Sequence, residues 1–319
     1  MESELTPQQN QDLAKILQTM KSFLAKEYAG VSHKRNFHPK MHGCLQGKLS
    51  VFSDLPEPLR VGLFKEVGVY EAWVRLSNAP PKVGSDRGRS GRGLAIKVLQ
   101  VPGELLEEED PLRMATQNFL LTTSPILSAS SIRLYRKAMG AVLGGLLPRI
   151  LFALNPLHWR SLFLTLRYAA KHDNLLAEDY FSGAAFRMGS GQYAKFVLKS
   201  NQPELGYSLN TSRSSDFLRE QLKTDLKDTD YSFTLHVQLH QNPRHQPLND
   251  TSKVWKGTLI PVALLTLPKQ VFDTPERHAF GESLEFSPWM GLVDHEPVGE
   301  INLARRVVYR ELAAFRKEK

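Results

Sequence analysis

The chain has 319 residues and a single cysteine, Cys44, so no disulfide can close within it and a cysteine cage for a metal is excluded. A reducing compartment suits such a chain. It also lacks a long apolar run: the richest stretch, MGAVLGGLLPRILFAL, falls short of the ~20 residues that span a bilayer and is broken by Pro148 and Arg149. Its start, MESELTPQQNQ, has neither the basic opening nor the apolar core of a secretion signal, and a cytoplasmic location is expected. Internal repeats and low-complexity tracts are absent, which excludes a solenoid. Acidic residues are in deficit, 33 against 41 Lys plus Arg, for a net charge of +8. That excess is spread rather than blocked, so nucleic acid is not an expected partner. The tract GSDRGRSGRG runs straight into a strand pattern and reads as a charged loop.

What is present begins with a helix start. Thr6 before Pro7 pairs an N-cap with a proline at the first helical position, and the spacing of Leu13, Ile16, Leu17, Met20 and Phe23 carries the helix to about Glu27. From His38 to Lys97 short alternating runs punctuated by Pro and Gly indicate antiparallel strands, and a second set follows in QYAKFVLKS, DYSFTLHVQLHQ and WKGTLIPVALLTL. In the middle one, Tyr231, Phe233, Leu235, Val237 and Leu239 share a face, as in a barrel or sheet wall. Between the sets, about residues 130–176, lies a helical block that is basic on its polar side, which leaves open contact with a membrane surface or lipid. The organisation expected is an N-terminal helical arm, residues 1–30, and one α+β domain, residues 31–319, with a helical insertion.

Some residue types point to redox chemistry. In ARRVVYRELAAFRKEK, Arg305, Tyr309 and Arg316 lie on one helical stripe. Taken alone, that stripe suits a surface helix. A fixed guanidinium also stabilises the ionised form of a nearby phenol, and a phenolate is one of few side chains that hold ferric haem. A haem enzyme acting on peroxide further needs a base to move one proton and cations for two propionates. His38, in RNFHPKMHGC, can be that base, with His33 and His42 as rivals. In YEAWVRLSN, Trp73, Arg75 and Ser77 share a face opposite Val74 and Leu76, and an Arg on the buried side needs an anion.

These pieces resemble the haem-catalase superfamily, in particular its minimal members of the catalase-related peroxidase type. The distal R-x-x-H-x-K motif is similar to Arg35, His38 and Lys40, with Gly43 one residue late; R-F-S to Arg75, Leu76 and Ser77; R-G-x-A-x-K to Arg92, Gly93, Ala95 and Lys97. A D-x-T-K-V-W segment and L-I-P-V are echoed by Asp250, Lys253, Val254 and Trp255, then by Leu259 to Val262, and the proximal R-x-x-x-Y by Arg305 and Tyr309. The resemblance runs from about residue 33 to 316, in the family's order. It implies a catalase-like fold, an antiparallel β-barrel core with a helical insertion and a C-terminal ligand helix. It also implies haem b, with Tyr309 as iron ligand, Arg305 as its charge partner, Arg35, Arg75 and Arg316 as propionate clamp, His38 as distal acid-base and Ser77 orienting the His38 ring.

The resemblance fails at the distal amide. Ungapped alignment on Pro125, Ile126 and Leu127 places Thr116 where catalases have Asn, with Gln117 and Asn118 next to it, and Ser128 replaces a stacking aromatic. Without an amide a second peroxide is poorly oriented, whereas cleaving the first O–O bond needs mainly His38 and the iron. The expected activity is therefore a haem peroxidase acting on hydrogen peroxide or organic and lipid hydroperoxides, with an electron donor of unknown identity. Alternatives are a non-catalytic haem-binding protein and a hydroperoxide isomerase resembling allene oxide synthases. Pairing as a homodimer is left open.

Overall fold

The computed structural model describes residues 4–106, 112, 114–206 and 214–318. Its first element, α1 (Pro7–Glu27), begins as the residues require: the Thr6 hydroxyl accepts from Gln9 N at 3.3 Å while the Gln9 side chain accepts from Thr6 N at 2.8 Å, a reciprocal capping box. Then come β1 (Met41–Val51), β2 (Val69–Asn78), β3 (Arg92–Leu99) and β4 (Thr116–Thr122). The helical block holds α2 (Ile132–Leu143), α3 (Leu146–Leu154) and α4 (Trp159–Tyr168). The remainder is β5 (Tyr180–Phe181), β6 (Phe186–Arg187), β7 (Tyr193–Ser200), α5 (Phe217–Asp228), β8 (Tyr231–Leu239), β9 (Ile260–Leu267), α6 (Pro275–Ser283) and α7 (Glu300–Lys317). The sequence reading places strands in the regions of β1 to β3 and β7 to β9 and none at β4, TQNFLLT. β5 and β6 have two residues each, too few to show a period.

The sheet runs β5-β4-β3-β2-β1-β9-β8-β7-β6, and a further pairing of β5 with β7 closes eight of these strands into an antiparallel barrel. Closure leaves no open edge in that ring. Alternation fills the interior: Leu45, Val74, Leu76, Ile96, Phe196 and Leu235 belong to one continuous apolar cluster. Paired residues share a face in an antiparallel sheet, so the outer face of β2, β3 and β4 carries the rows Ser77–Gly93–Thr122, Arg75–Ala95–Leu120 and Trp73–Lys97–Asn118. On this outer face Arg75, Ser77, Gly93, Lys97 and Asn118 are buried, while Trp73, Ala95, Leu120 and Thr122 are partly exposed; α5 and α6 pack beside it on β1. α1, α2 and α7 pack on one another through Ile16, Met20, Ile132, Ala304 and Val308. Among the described residues no helix is long and apolar enough to cross a membrane.

The GSDRGRSGRG tract is anchored inward. Asp86 is buried in an ion pair with Lys40 at 2.7 Å, accepts from Asn78 Nδ2 at 2.7 Å, and offers its carbonyl to Arg92 Nη2 at 2.9 Å. A loop whose carboxylate neutralises the core-facing lysine is a structural strap.

Candidate active site

His38 is the residue around which the outer barrel face is organised. Its backbone sits at φ 60°, in the left-handed region that costs a side-chain-bearing residue of order 1 kcal/mol. Three neighbours hold it there. Arg75 Nη2 donates to the His38 carbonyl at 3.0 Å, Ser77 Oγ lies 3.0 Å from Nδ1, and Gly93 leaves the room the ring needs, since a Cβ there would come within 2.4 Å of it. Burial, followed by the charges of Arg75, Arg35 and Arg305, holds the His38 pKa down to about 3, so the imidazole is neutral near pH 7. The rivals are placed elsewhere. His33 stacks on Phe315 with ring centroids 4.9 Å apart, and His42 Nε2 is bonded to Asn78 at 2.8 Å inside the Asp86 network.

Arg35 and Arg75 lie near enough to this histidine to lower its pKa, and Arg316 lowers theirs in turn. What holds them is Glu282, at the end of α6, a residue the sequence did not single out. It sits 3.0 Å from Arg35 Nη1 and 3.2 Å from Arg75 Nη2, and Arg35 is further pinned by the carbonyls of Gly281, Glu282 and Leu284. Despite the burial that opposes it, Glu282 is held below the ordinary carboxylate range by Arg75 and Arg35. No periodicity marks Glu282; only the docking of α6 against β1, where Gly281 meets Cys44 and Met41, brings it to the cluster. Cys44 itself is buried, with its thiol pushed up to about 11, and is not a nucleophile.

Helix α7 brings Arg305 and Tyr309 together. The Arg305 guanidinium lies over the phenol ring, 5.5 Å from its centroid, and Nη1 donates to Asn302 Oδ1 at 3.1 Å. That one guanidinium acts on the titration of both His38 and Tyr135. Tyr135, on α2, is a second phenol missed by sequence reasoning: burial raises its pKa first, and Tyr309 adds to the rise. Phe37, Leu127 and Val307 belong to the same apolar cluster as Tyr135.

Thr116 is buried but pairs with Leu99, six positions along β4 from Thr122, the residue level with Ser77 and Gly93; at ~3.3 Å per residue that is about 20 Å. Asn118, on the same face, is two positions nearer. It is fully buried, donates Nδ2 to the Ser287 carbonyl at 3.3 Å, and its Oδ1 has no partner among the described residues. Thus the strand register does not bring Thr116 beside His38. Ser128 gives its carbonyl to Ser161 Oγ at 2.9 Å.

No protein-family model matches the sequence, and no curated protein matches it. Solved structures do. A fungal catalase superposes with TM-score 0.71 at 18% identity over 92% of this chain and 61% of its own. Catalase A from Saccharomyces cerevisiae gives 0.71 at 17%, over 92% and 63%, and a bacterial catalase 0.62 at 15%, over 92% and 59%. The chain therefore has a catalase-like fold and spans about three fifths of these proteins' length.

The residues present fit haem. Tyr309 lies on α7, the helix whose Arg305 is near enough to His38 to lower its pKa. The guanidiniums of Arg35, Arg75 and Arg316 stand with the carboxylates of Glu282 and Glu285, and the buried Nε of Arg75 has no partner among the described residues. Buried cations need such anions.

Proposed function

We propose that the protein is a haem-dependent peroxidase acting on hydrogen peroxide or on organic and lipid hydroperoxides. The observation that carries this reading is His38: a neutral imidazole, 3.0 Å from Ser77 through Nδ1, under the charges of Arg75, Arg35 and of Arg305 on the helix that bears Tyr309. In this reading Tyr309 holds the iron, Arg305 lies over its ring, and Arg35, Arg75 and Arg316 hold the propionates. Bound haem supplies the electrons that break the O–O bond. With the Nδ1 proton given to Ser77 Oγ, Nε2 presents a lone pair. It would take a proton from one peroxide oxygen and return it to the other, which would leave as water or an alcohol. Because the His38 ring is neutral near pH 7, the base is ready without prior deprotonation. Arg75 acts twice, as a cation and as the clamp on the His38 carbonyl. The distance of Thr116 and Asn118 along β4 from the His38 register supports reduction of one peroxide over dismutation of two.

The test is protein produced with a haem supply. It should carry one haem with a ferric tyrosinate spectrum and reduce an organic hydroperoxide at the expense of an added donor. His38→Ala should keep the haem and lose turnover by roughly 10²-fold or more. Peroxide consumption unchanged by that substitution overturns the acid-base assignment. An isomer formed without any donor points instead to rearrangement.

A further inference from the structure

Helix α3 buries none of its residues and α4 buries only Ser161. On α3, Leu147, Ile150, Leu151 and Leu154 recur at intervals of three and four and make one apolar stripe; on α4, Trp159, Phe163 and Leu166 do the same. Such stripes normally turn inward. Here they face out, with Trp159 57% and Leu154 69% exposed, and Leu157 between the two helices is 83% exposed. The hairpin is nevertheless firmly built: Trp159 Nε1 donates to the Ala153 carbonyl at 2.9 Å, Asn155 Oδ1 accepts from Leu157 N at 3.0 Å, and Ser161 Oγ ties α4 to Ser128 at 2.9 Å.

The charge around the stripes has one sign. No Asp or Glu occurs from residue 111 to residue 172, while Arg133, Arg149, Arg160, Arg167 and Lys171 are exposed. We propose that the α3–α4 hairpin seats on the surface of an anionic lipid bilayer, its leucines and aromatic rings in the boundary between headgroups and acyl chains and its cations at the level of the phosphates. Apolar area plus cations is the combination interfacial helices use. At nine and ten residues the two helices are about 15 Å long or less, half of a hydrocarbon core, so they lie on the bilayer and do not cross it. The Trp159 donor is already satisfied, so its ring can enter an apolar layer without orphaning a polar group. A second copy suits the face poorly, because a two-fold contact would set the basic surface against itself. Nucleic acid would engage the cations and leave the leucines in water. This inference does not depend on the haem reading.

The test uses the full chain and vesicles of phosphatidylcholine with or without phosphatidylserine. Binding should require phosphatidylserine and fall at high salt. The double substitution Arg149→Gln with Arg167→Gln should weaken it by roughly 25-fold, at about fivefold per cation. Leu147→Glu, Leu151→Glu and Phe163→Glu together should abolish sedimentation while circular dichroism stays unchanged. Trp159 is the exposed one of four tryptophans, Trp255 and Trp289 being buried and Trp73 packed against Arg277 and Phe280, so its emission should shift to the blue on vesicles and Trp159→Phe should remove that shift. Failure to bind anionic vesicles at low salt overturns the proposal, as does equal binding to neutral vesicles or by the triple variant. A wild-type dimer split by the triple variant, with no vesicle binding, assigns the face to a second copy.

Discussion

The outer face of β2–β4 and the α3–α4 hairpin invert each other. The strand face is charged and buried: Arg75, Lys97 and Asn118 are at most 3% exposed, and Glu282 holds Arg75 in place. The hairpin is apolar and exposed. A protein does not bury charge to gain stability, since desolvation takes back most of the Coulombic attraction, and it does not leave leucines in water without consequence. The haem proposal rests on the first inversion and the lipid proposal on the second.

The sharpest way to break the contrast is to remove what the buried face is built around. Tyr309→Phe offers no oxygen to iron, so haem content, read from the Soret band of purified protein, should fall close to zero; full retention would sink the ligand assignment. Next in size, Asp86→Asn leaves Lys40 buried without its innermost partner and should cost about 3–5 kcal/mol in chemical denaturation. A pH series follows. His38 and His295 are held neutral in the folded protein, with pKa about 3 and about 4 against an ordinary 6.5, so the unfolded chain binds more protons between those values. Stability should be full above about pH 6.5 and decline as pH falls through that window towards 4; a melting temperature that rose on acidification would contradict it. Ser77→Ala frees the His38 ring and should lower turnover roughly tenfold, one hydrogen bond's worth, with haem content unchanged. The smallest effect belongs to the other side of the comparison: Leu151→Ala on the exposed stripe should move stability by no more than about 0.5 kcal/mol.

Much of this was legible in the residues. The Thr6–Pro7 helix start, the alternation of residues 231–239 and the shared face of Arg75 and Ser77 each follow from local geometry, and each is found. Glu282 was not legible, because a carboxylate at the end of a short helix has no periodic signature, and neither was Tyr135, one aromatic in a helix of ordinary pattern. The distal position illustrates a different limit. Counting back from Pro125 arrives at Thr116, yet only the pairing of β4 with β3 says which β4 residues lie near His38.

The sequence by itself determined the elements, the alternation that makes a barrel wall, and the ordered residue set from Arg35 to Arg316 that resembles one family, because those depend on neighbours a few positions apart. The tertiary structure alone decided which charges meet, that His38 sits neutral in a left-handed turn under Arg75, and that the α3–α4 stripes face outward. Those outcomes rest on contacts between residues dozens to hundreds of positions apart, whose energies exist only once the chain has closed on itself.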